Sequence, residues 1–133
     1  MSKLLVRPHA ADEAGCVLDI TPASAGWNYV GFKIHRLESG KSMRGGDTGS
    51  AACLVVLTGG ADGAVDDRRF ESIGGRAWMF ENAAPGAVYA PAGSDYLVTA
   101  KDSVELAVCS APGKPGQPPR TIAGADMSRE VRG

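Results

Sequence analysis

The sequence lacks the features that mark membrane, secreted and nucleic-acid-binding proteins. Its longest apolar run is seven residues, 51–57, whereas a membrane-spanning helix needs roughly 20. Aromatic residues make up only 6% of the chain and the formal net charge is −1, so neither base stacking nor strong attraction to phosphate is expected. The amino terminus has no signal-peptide pattern. We therefore expect a cytoplasmic protein without nucleic-acid or membrane partners.

Cysteine and histidine are too few and too scattered to suggest a metal or redox site. The three cysteines include no Cys-x-x-Cys pair, and Cys53 and Cys109, inside apolar runs, are interpreted as buried, reduced thiols. His9 is interpreted as a solvated residue of the amino-terminal arm. His35 falls on the polar side of an alternating strand, where a hydrogen-bonded surface or rim group is the expected role. No catalytic residue and no metal ligand is predicted.

Glycine and proline are abundant, at 18 and 8 residues, and separate short apolar segments. Residues 29–37 alternate, with Val30, Phe32 and Ile34 on one side and Lys33 and His35 on the other, which predicts a half-buried strand. Gly59-Gly60 and Gly74-Gly75 are interpreted as turns between strands. Roughly seven to nine short strands predict an all-β sandwich or barrel. The other strands are placed at residues 51–57, 76–81, 87–90, 96–100 and 104–110, with a hairpin within residues 64–71.

The composition changes after residue 112. Residues 113–119 are rich in proline and glycine, which is typical of a linker. Residues 120–133 are short and polar and offer no core of their own. We therefore predict a barrel over residues 1–112, a linker over 113–119, and a tail over 120–133 that leads toward a missing second barrel.

Residues 86–96 carry the most informative local pattern. A strand ends at Pro91, a glycine turn follows at Gly93, and Tyr96 opens the next strand. This order resembles the second cupin motif, in which Pro-x-Gly-x-x-His places a metal-binding histidine inside a β-barrel. Tyr96 stands at the histidine position, so the resemblance implies a cupin-like barrel of the RmlC-like jelly-roll type without that ligand.

The first cupin motif would extend from Gly40 to Gly59. Counting back from Gly59 places Ala52 at the position of the motif's glutamate. The two histidine positions fall on Gly46 and Thr48, or on Gly45 and Asp47. One carboxylate does not make a metal site, so the resemblance implies a cupin frame whose metal ligands have been replaced.

Four segments resemble the 5-deoxy-glucuronate isomerases of myo-inositol catabolism. They are Leu4-Leu5-Val6-Arg7-Pro8, residues 20–32 with Ser24-Ala25-Gly26-Trp27, Val88-Tyr89 before Pro91, and residues 105–112. The resemblance implies the N-terminal half of a tandem cupin enzyme that interconverts 5-deoxy-glucuronate and 5-dehydro-2-deoxygluconate. It also implies that the metal, expected to be zinc, belongs to a C-terminal barrel and that this half is not catalytic alone.

Two further functions remain open on the sequence alone. The chain could be a stand-alone, metal-free cupin that binds a small sugar acid or forms a homodimer through its barrel edges. The polar side chains proposed for such binding are Tyr96, Tyr89, Arg76, His35 and Arg36. Each also has a simpler interpretation, as a packed tyrosine with a wet hydroxyl or a surface group. A metal-free enzyme using His35 is the third alternative.

Overall fold

The computed structural model of the chain describes residues 5–78, 80–128 and 130–131, which form nine strands. The two helical segments are a single turn, α1 (Pro22–Ala25), and a 3-10 turn at Gly124–Asp126. No helix within the described residues is long and apolar enough to cross a membrane. The strands are β1 (Cys16–Ile20), β2 (Gly31–Leu37), β3 (Ser42–Gly46), β4 (Ser50–Val65), β5 (Arg68–Arg76), β6 (Gly86–Ala90), β7 (Asp95–Ala100), β8 (Val104–Pro112) and β9 (Arg120–Ile122).

All strand pairs are antiparallel, and β4 belongs to two layers. One layer has the order β1-β2-β8-β4-β6-β9, and the other contains β3, β7, β4 and β5. The inward side chains of both layers form one apolar core. Its most completely buried large side chains are Leu106, Val56, Val65, Val88 and Val98. The prediction of an all-β fold with seven to nine strands is confirmed.

The prediction that Gly59-Gly60 and Gly74-Gly75 form turns is wrong, because both pairs lie inside strands. Gly60 pairs with Gly74, and the register between β4 and β5 shifts at Gly59. Gly59 has a φ of 77°, and a Cβ there would collide with the carbonyl oxygen of Ser103. Only glycine fits this position. The irregularity therefore carries β4 from one layer into the other instead of ending it.

The predicted inward and outward faces of β2 are exchanged in the structure. His35 and Leu37 are buried in the interior, whereas Phe32 and Ile34 are only half-buried. The sequence pattern misleads here because the outer face of this layer is itself apolar. Phe32 lies in register with Cys109, and Cys109 lies in register with Cys53. Alternation locates a strand, but it does not say which face meets the core when both faces carry apolar groups.

The predicted strand at residues 76–81 is also wrong, because β5 ends at Arg76. Trp78 and Phe80 are exposed in the following loop, where their rings make an edge-on contact with centroids 5.4 Å apart. Met79, which the predicted strand included, lies outside the described residues. Two large aromatic side chains in a short segment favour a strand locally, but none of the described residues after Arg76 in this segment pairs with another strand.

The residues beyond the predicted linker return to the body of the fold. Strand β9 pairs with β6, and Tyr89 lies opposite Arg120. The tail therefore adds a short strand to the larger layer. That residues 113–119 are a linker, and that residues 120–133 lead toward a second barrel, stays a prediction.

Candidate functional site

A polar cavity of about 380 Å³ opens at one end of the barrel, between the two layers. We call it the His35 cavity. Its walls come from the arm before β1 and from β1, β2, β3, the start of β4, β7 and β8. It contains most of the positions at which a cupin would carry metal ligands. The polar side chains that line it are Asp12, Asp19, Lys33, His35, Arg44, Asp47, Ser50, Tyr96 and Ser110.

His35 is buried, with 4% of its surface exposed, and only one of its ring nitrogens has a partner. Nδ1 lies 3.1 Å from the carbonyl oxygen of Ala14. A carbonyl can only accept, so Nδ1 carries the proton and Nε2 presents a lone pair when the ring is neutral. Nε2 is buried and forms no hydrogen bond with any described residue. The expectation of a surface or rim histidine is therefore wrong.

Tyr96 lies across the cavity on β7, directly against Gly45 of β3, which is its register partner. A Cβ at Gly45 would overlap the phenol ring, with Cε2 only 2.7 Å away and Oη closer still. The glycine is therefore what lets the ring lie flat on β3. Burial raises the pKa of the Tyr96 hydroxyl, so the group is an un-ionised phenol that can donate or accept a hydrogen bond.

The acidic groups of the cavity already have partners. One oxygen of Asp12 accepts hydrogen bonds from the backbone N–H groups of Cys16 and Ala14, each at 2.9 Å. The bond from Cys16 lowers the pKa of the Asp12 carboxyl. Asp47 accepts from the N–H of Gly49 at 3.2 Å.

The two cations of the cavity differ in their surroundings. Lys33 lies 3.9 Å from a carboxylate oxygen of Asp19, and both side chains are largely exposed. Arg44 forms no hydrogen bond or ion pair with the described residues. Along β3 it alternates with Met43, which is buried in the core, so its side chain lies on the outward face of that strand.

The other side chains predicted to bind a ligand lie elsewhere. Tyr89 is on the outer face of β6, beside Cys53. Arg76 donates to the carbonyl oxygens of Leu57 and Ala83 at 3.0 and 2.9 Å. Arg36 is paired with Glu105 at 2.9 Å. The structure thus brings His35 and Tyr96 together and leaves Tyr89, Arg76 and Arg36 in surface or structural positions.

The three cysteines are free thiols. Cys16 lines the His35 cavity and donates to the carbonyl oxygen of Leu18 at 3.3 Å. Cys53 and Cys109 lie opposite one another on β4 and β8. Burial raises the pKa of all three thiols, and the proximity of Cys109 raises that of Cys53 further. Such thiols are poor nucleophiles at neutral pH.

The cavity does not suit the metal that a cupin would hold. The motif positions carry Ala52, Tyr96 and either Gly46 and Thr48 or Gly45 and Asp47. They therefore offer at most one charged ligand, the carboxylate of Asp47, and no imidazole. Within residues 5–78, 80–128 and 130–131, no three His, Cys, Asp or Glu side chains converge closely enough to bind a metal ion. These residues therefore do not fit the metal ion of a cupin site.

Sequence reasoning missed Arg44 and the role of Gly45. Both lie on β3, whose sequence Ser-Met-Arg-Gly-Gly has neither alternation nor β-branched residues. The available signal was their place inside the first cupin motif, where Gly45 is one of the alternative positions of the first histidine and Arg44 directly precedes it. A position within that motif indicates a place near the open end of the barrel even where the strand itself is not predicted.

Comparisons with known proteins agree with this architecture. The chain is 42% identical over 133 residues to the 5-deoxy-glucuronate isomerase of Geobacillus kaustophilus, covering all of this chain and 48% of that protein. An IolB-like protein from Salmonella typhimurium superposes with a TM-score of 0.87 at 38% identity, over 93% of this chain and 47% of that one. The chain thus spans about half the length of the relatives it matches.

A more distant neighbour supports the fold alone. A cupin domain from Schizosaccharomyces pombe superposes with a TM-score of 0.51 at 13% identity, over 73% of this chain and 61% of that one. The predicted cupin-like fold is therefore confirmed. The model of the KduI/IolB family matches residues 4–133. Because this family model matches nearly the entire sequence, the chain belongs to the KduI/IolB family.

Proposed function

We propose that this chain is the N-terminal cupin half of a 5-deoxy-glucuronate isomerase of inositol catabolism. The complete enzyme would interconvert 5-deoxy-glucuronate and 5-dehydro-2-deoxygluconate. The observation that carries the proposal is the match of the entire chain, at 42% identity, to about half of a relative named for this activity. The cupin fold and the closely superposing IolB-like protein support it.

We propose that this half contributes structure and binding surface, while the second half supplies the metal chemistry. Aldose–ketose isomerisation moves a proton between neighbouring carbons and needs a metal or an acid to stabilise the enediolate. The motif positions in this barrel carry glycine, threonine or aspartate, alanine and tyrosine, and a single carboxylate does not make such a metal site. A divalent metal, zinc in our proposal, is therefore assigned to the other barrel.

The test is to assay isomerisation with three preparations: this chain alone, the remaining half of the Geobacillus kaustophilus enzyme alone, and the two together. We expect turnover only from the mixture, with metal retained by the second half. Metal content is measured by mass spectrometry after loading with zinc and desalting. Near-stoichiometric metal in this chain, or turnover by this chain alone at the rate of the mixture, would contradict the proposal.

We also propose that the chain works in the cytoplasm and associates as a homodimer through strand edges. The location is supported by Cys53 and Cys109, which face each other across paired strands as free thiols, as suits a reducing compartment. The dimer is supported by β1 and β9, which end the larger layer with one partner strand each. Cell fractionation and light scattering test the two points, and a monomer in solution would contradict the second.

A further inference from the structure

The outward sides of the two layers differ in chemical character. On the smaller layer, one row of register partners crosses β3, β7, β4 and β5 through Arg44, Leu97, Ala64 and Arg69. Both ends of this row carry a charged side chain, which suits contact with water. An antiparallel sheet that packs one face on the core commonly has such a solvated opposite face.

The outward side of the larger layer, which we call the outer face, is apolar across almost its whole width. Its first row of register partners crosses β1, β2, β8, β4, β6 and β9 through Ile20, Phe32, Cys109, Cys53, Tyr89 and Arg120. Only the last of these, at the edge of the sheet, carries a charge. The other five are all half-buried, so this row is neither part of the core nor fully solvated.

A second apolar row runs beside the first, two residues further along each strand. Its members are Leu18, Ile34, Ala107, Val55, Ala87 and Ile122. The two alanines are buried and the four larger side chains are half-buried. With about 4.8 Å between neighbouring strands, the six strands span about 24 Å. A contiguous apolar surface of this extent is typical of an interaction surface rather than of a free one.

Polar and aromatic side chains border the outer face. Next to the second row, Arg36 and Glu105 are register partners and form an ion pair of 2.9 Å. At the corner where the chain enters β2, Trp27, Tyr29 and Val30 are 49%, 68% and 48% exposed. An apolar centre, a charged rim and exposed tryptophan and tyrosine are the usual composition of a protein–protein interface.

The length of the relatives points to one occupant of this face. The chain matches 48% of its Geobacillus kaustophilus relative, so a further part of similar length belongs to that protein. In the enzyme proposed above, this second half follows β9, and β9 supplies Arg120 and Ile122 to the two rows. Such a tether holds the second half beside the outer face at an effective concentration on the order of mM. That favours the second half over a separate copy of this chain.

We propose that the outer face is the surface on which the second half of the enzyme docks. The docking partner presents an apolar surface as well, because the centre of the outer face has no charge with which a polar partner could pair. If that surface is also a sheet, the strands of the two sheets pack within about 30° of each other. The identity of the partner rests on the proposed function.

The experiment co-expresses this chain with the remaining half of the Geobacillus kaustophilus protein and separates the products by size-exclusion chromatography. We expect the two to co-elute as a one-to-one complex. Cys53 and Cys109 lie in the middle of the first row, so iodoacetamide at alkaline pH should label them about tenfold more slowly in the complex than in the chain alone. Cys16 lines the His35 cavity instead and should be labelled at the same rate in both.

Two variants and one matched control make the test specific. Val55→Lys places a charge at the centre of the second row and should weaken the complex about 100-fold or more, because an unpaired charge would be buried. Tyr89→Ala removes an aromatic contact and should weaken it about tenfold. Leu97→Lys introduces the same charge at a half-buried outward position of the smaller layer and should leave the complex unchanged. Circular dichroism shows whether each variant is folded.

Several results would overturn the proposal. Equal labelling of Cys53 and Cys109 in the complex and in the chain alone would place the partner elsewhere, and so would equal effects of Val55→Lys and Leu97→Lys. Failure of the two halves to co-elute would also contradict it. A dimer of this chain alone that Val55→Lys dissociates would mean that a second copy occupies the outer face.

The outcome for this face is separable from the outcome for the isomerase activity. Turnover by the mixture without protection of Cys53 and Cys109 would contradict the docking surface and leave the isomerase proposal intact. Protection of both cysteines without turnover would support the docking surface and contradict the proposed activity.

Discussion

Replacing His35 with leucine tests whether the buried ring nitrogen truly lacks a partner. The side chain is 4% exposed, Nδ1 makes one hydrogen bond of 3.1 Å, and Nε2 makes none. Leucine is of similar size and removes both nitrogens. Loss of the Nδ1 bond costs about 0.5–1.5 kcal/mol, while removal of a buried, unsatisfied acceptor returns about 1–3 kcal/mol. We therefore expect His35→Leu to raise the free energy of unfolding by about 1 kcal/mol.

Urea denaturation at neutral pH measures this change as a shift of the midpoint at constant slope. The matched control is His9→Leu, because His9 is exposed and its Nδ1 also contacts a backbone carbonyl, that of Ala10 at 2.8 Å. The control should stay within about 0.5 kcal/mol of the unmodified chain. A loss of more than about 2 kcal/mol in His35→Leu would refute the reasoning, since it would mean that Nε2 is satisfied by an internal water.

Three other predictions concern the same region and its surroundings. Gly45→Ala should lower the free energy of unfolding by about 1–3 kcal/mol, because the new Cβ overlaps the ring of Tyr96. In a double-mutant cycle, most of this loss should disappear when Gly45→Ala is made in the Tyr96→Ala background, and strict additivity would argue against the contact. The folded pKa of Asp12 lies below its ordinary 3.8 because the Cys16 N–H donates to the carboxylate. The stabilisation from this carboxylate is therefore present above that value and is lost as the pH falls through the folded pKa. Asp12→Asn should lose less stability than the unmodified chain between about pH 5 and pH 3 in urea titrations, and equal losses would contradict this. Cys53 and Cys109, with pKa values raised above 9.0 chiefly by burial, should react slowly with iodoacetamide at neutral pH and faster in alkali, as followed by mass spectrometry; rapid labelling of the folded chain at neutral pH would speak against it.

The strands that could be predicted are those whose sequences carry their own signal. β6 stops at Pro91, which cannot donate to a ladder. β7 and β8 are apolar and separated by a polar turn. The strands missed, β1, β3 and β9, are three to five residues long. Their conformation comes from pairing with β2, β7 and β6 rather than from local preference.

The candidate site was only partly predictable because its groups come together through the tertiary fold. Tyr96 was found because it replaces a histidine in a spaced motif. His35 was named as a candidate, but its burial depends on which face of β2 meets the interior. The opposite face is also apolar, since Phe32 lies in register with Cys109 there, so the sequence alone does not identify the buried face.

The passage of β4 through both layers has a consequence for how the domain opens. Residues 50–58 pair with β8 and residues 52–56 with β6, while residues 59–65 pair with β5 and residues 61–65 with β7. Neither layer can separate without breaking a strand that the other also holds. Amide hydrogens along both segments of β4 should therefore exchange through one global opening rather than through two local ones. The register irregularity at Gly59 bends this strand without dividing the domain into independently unfolding parts.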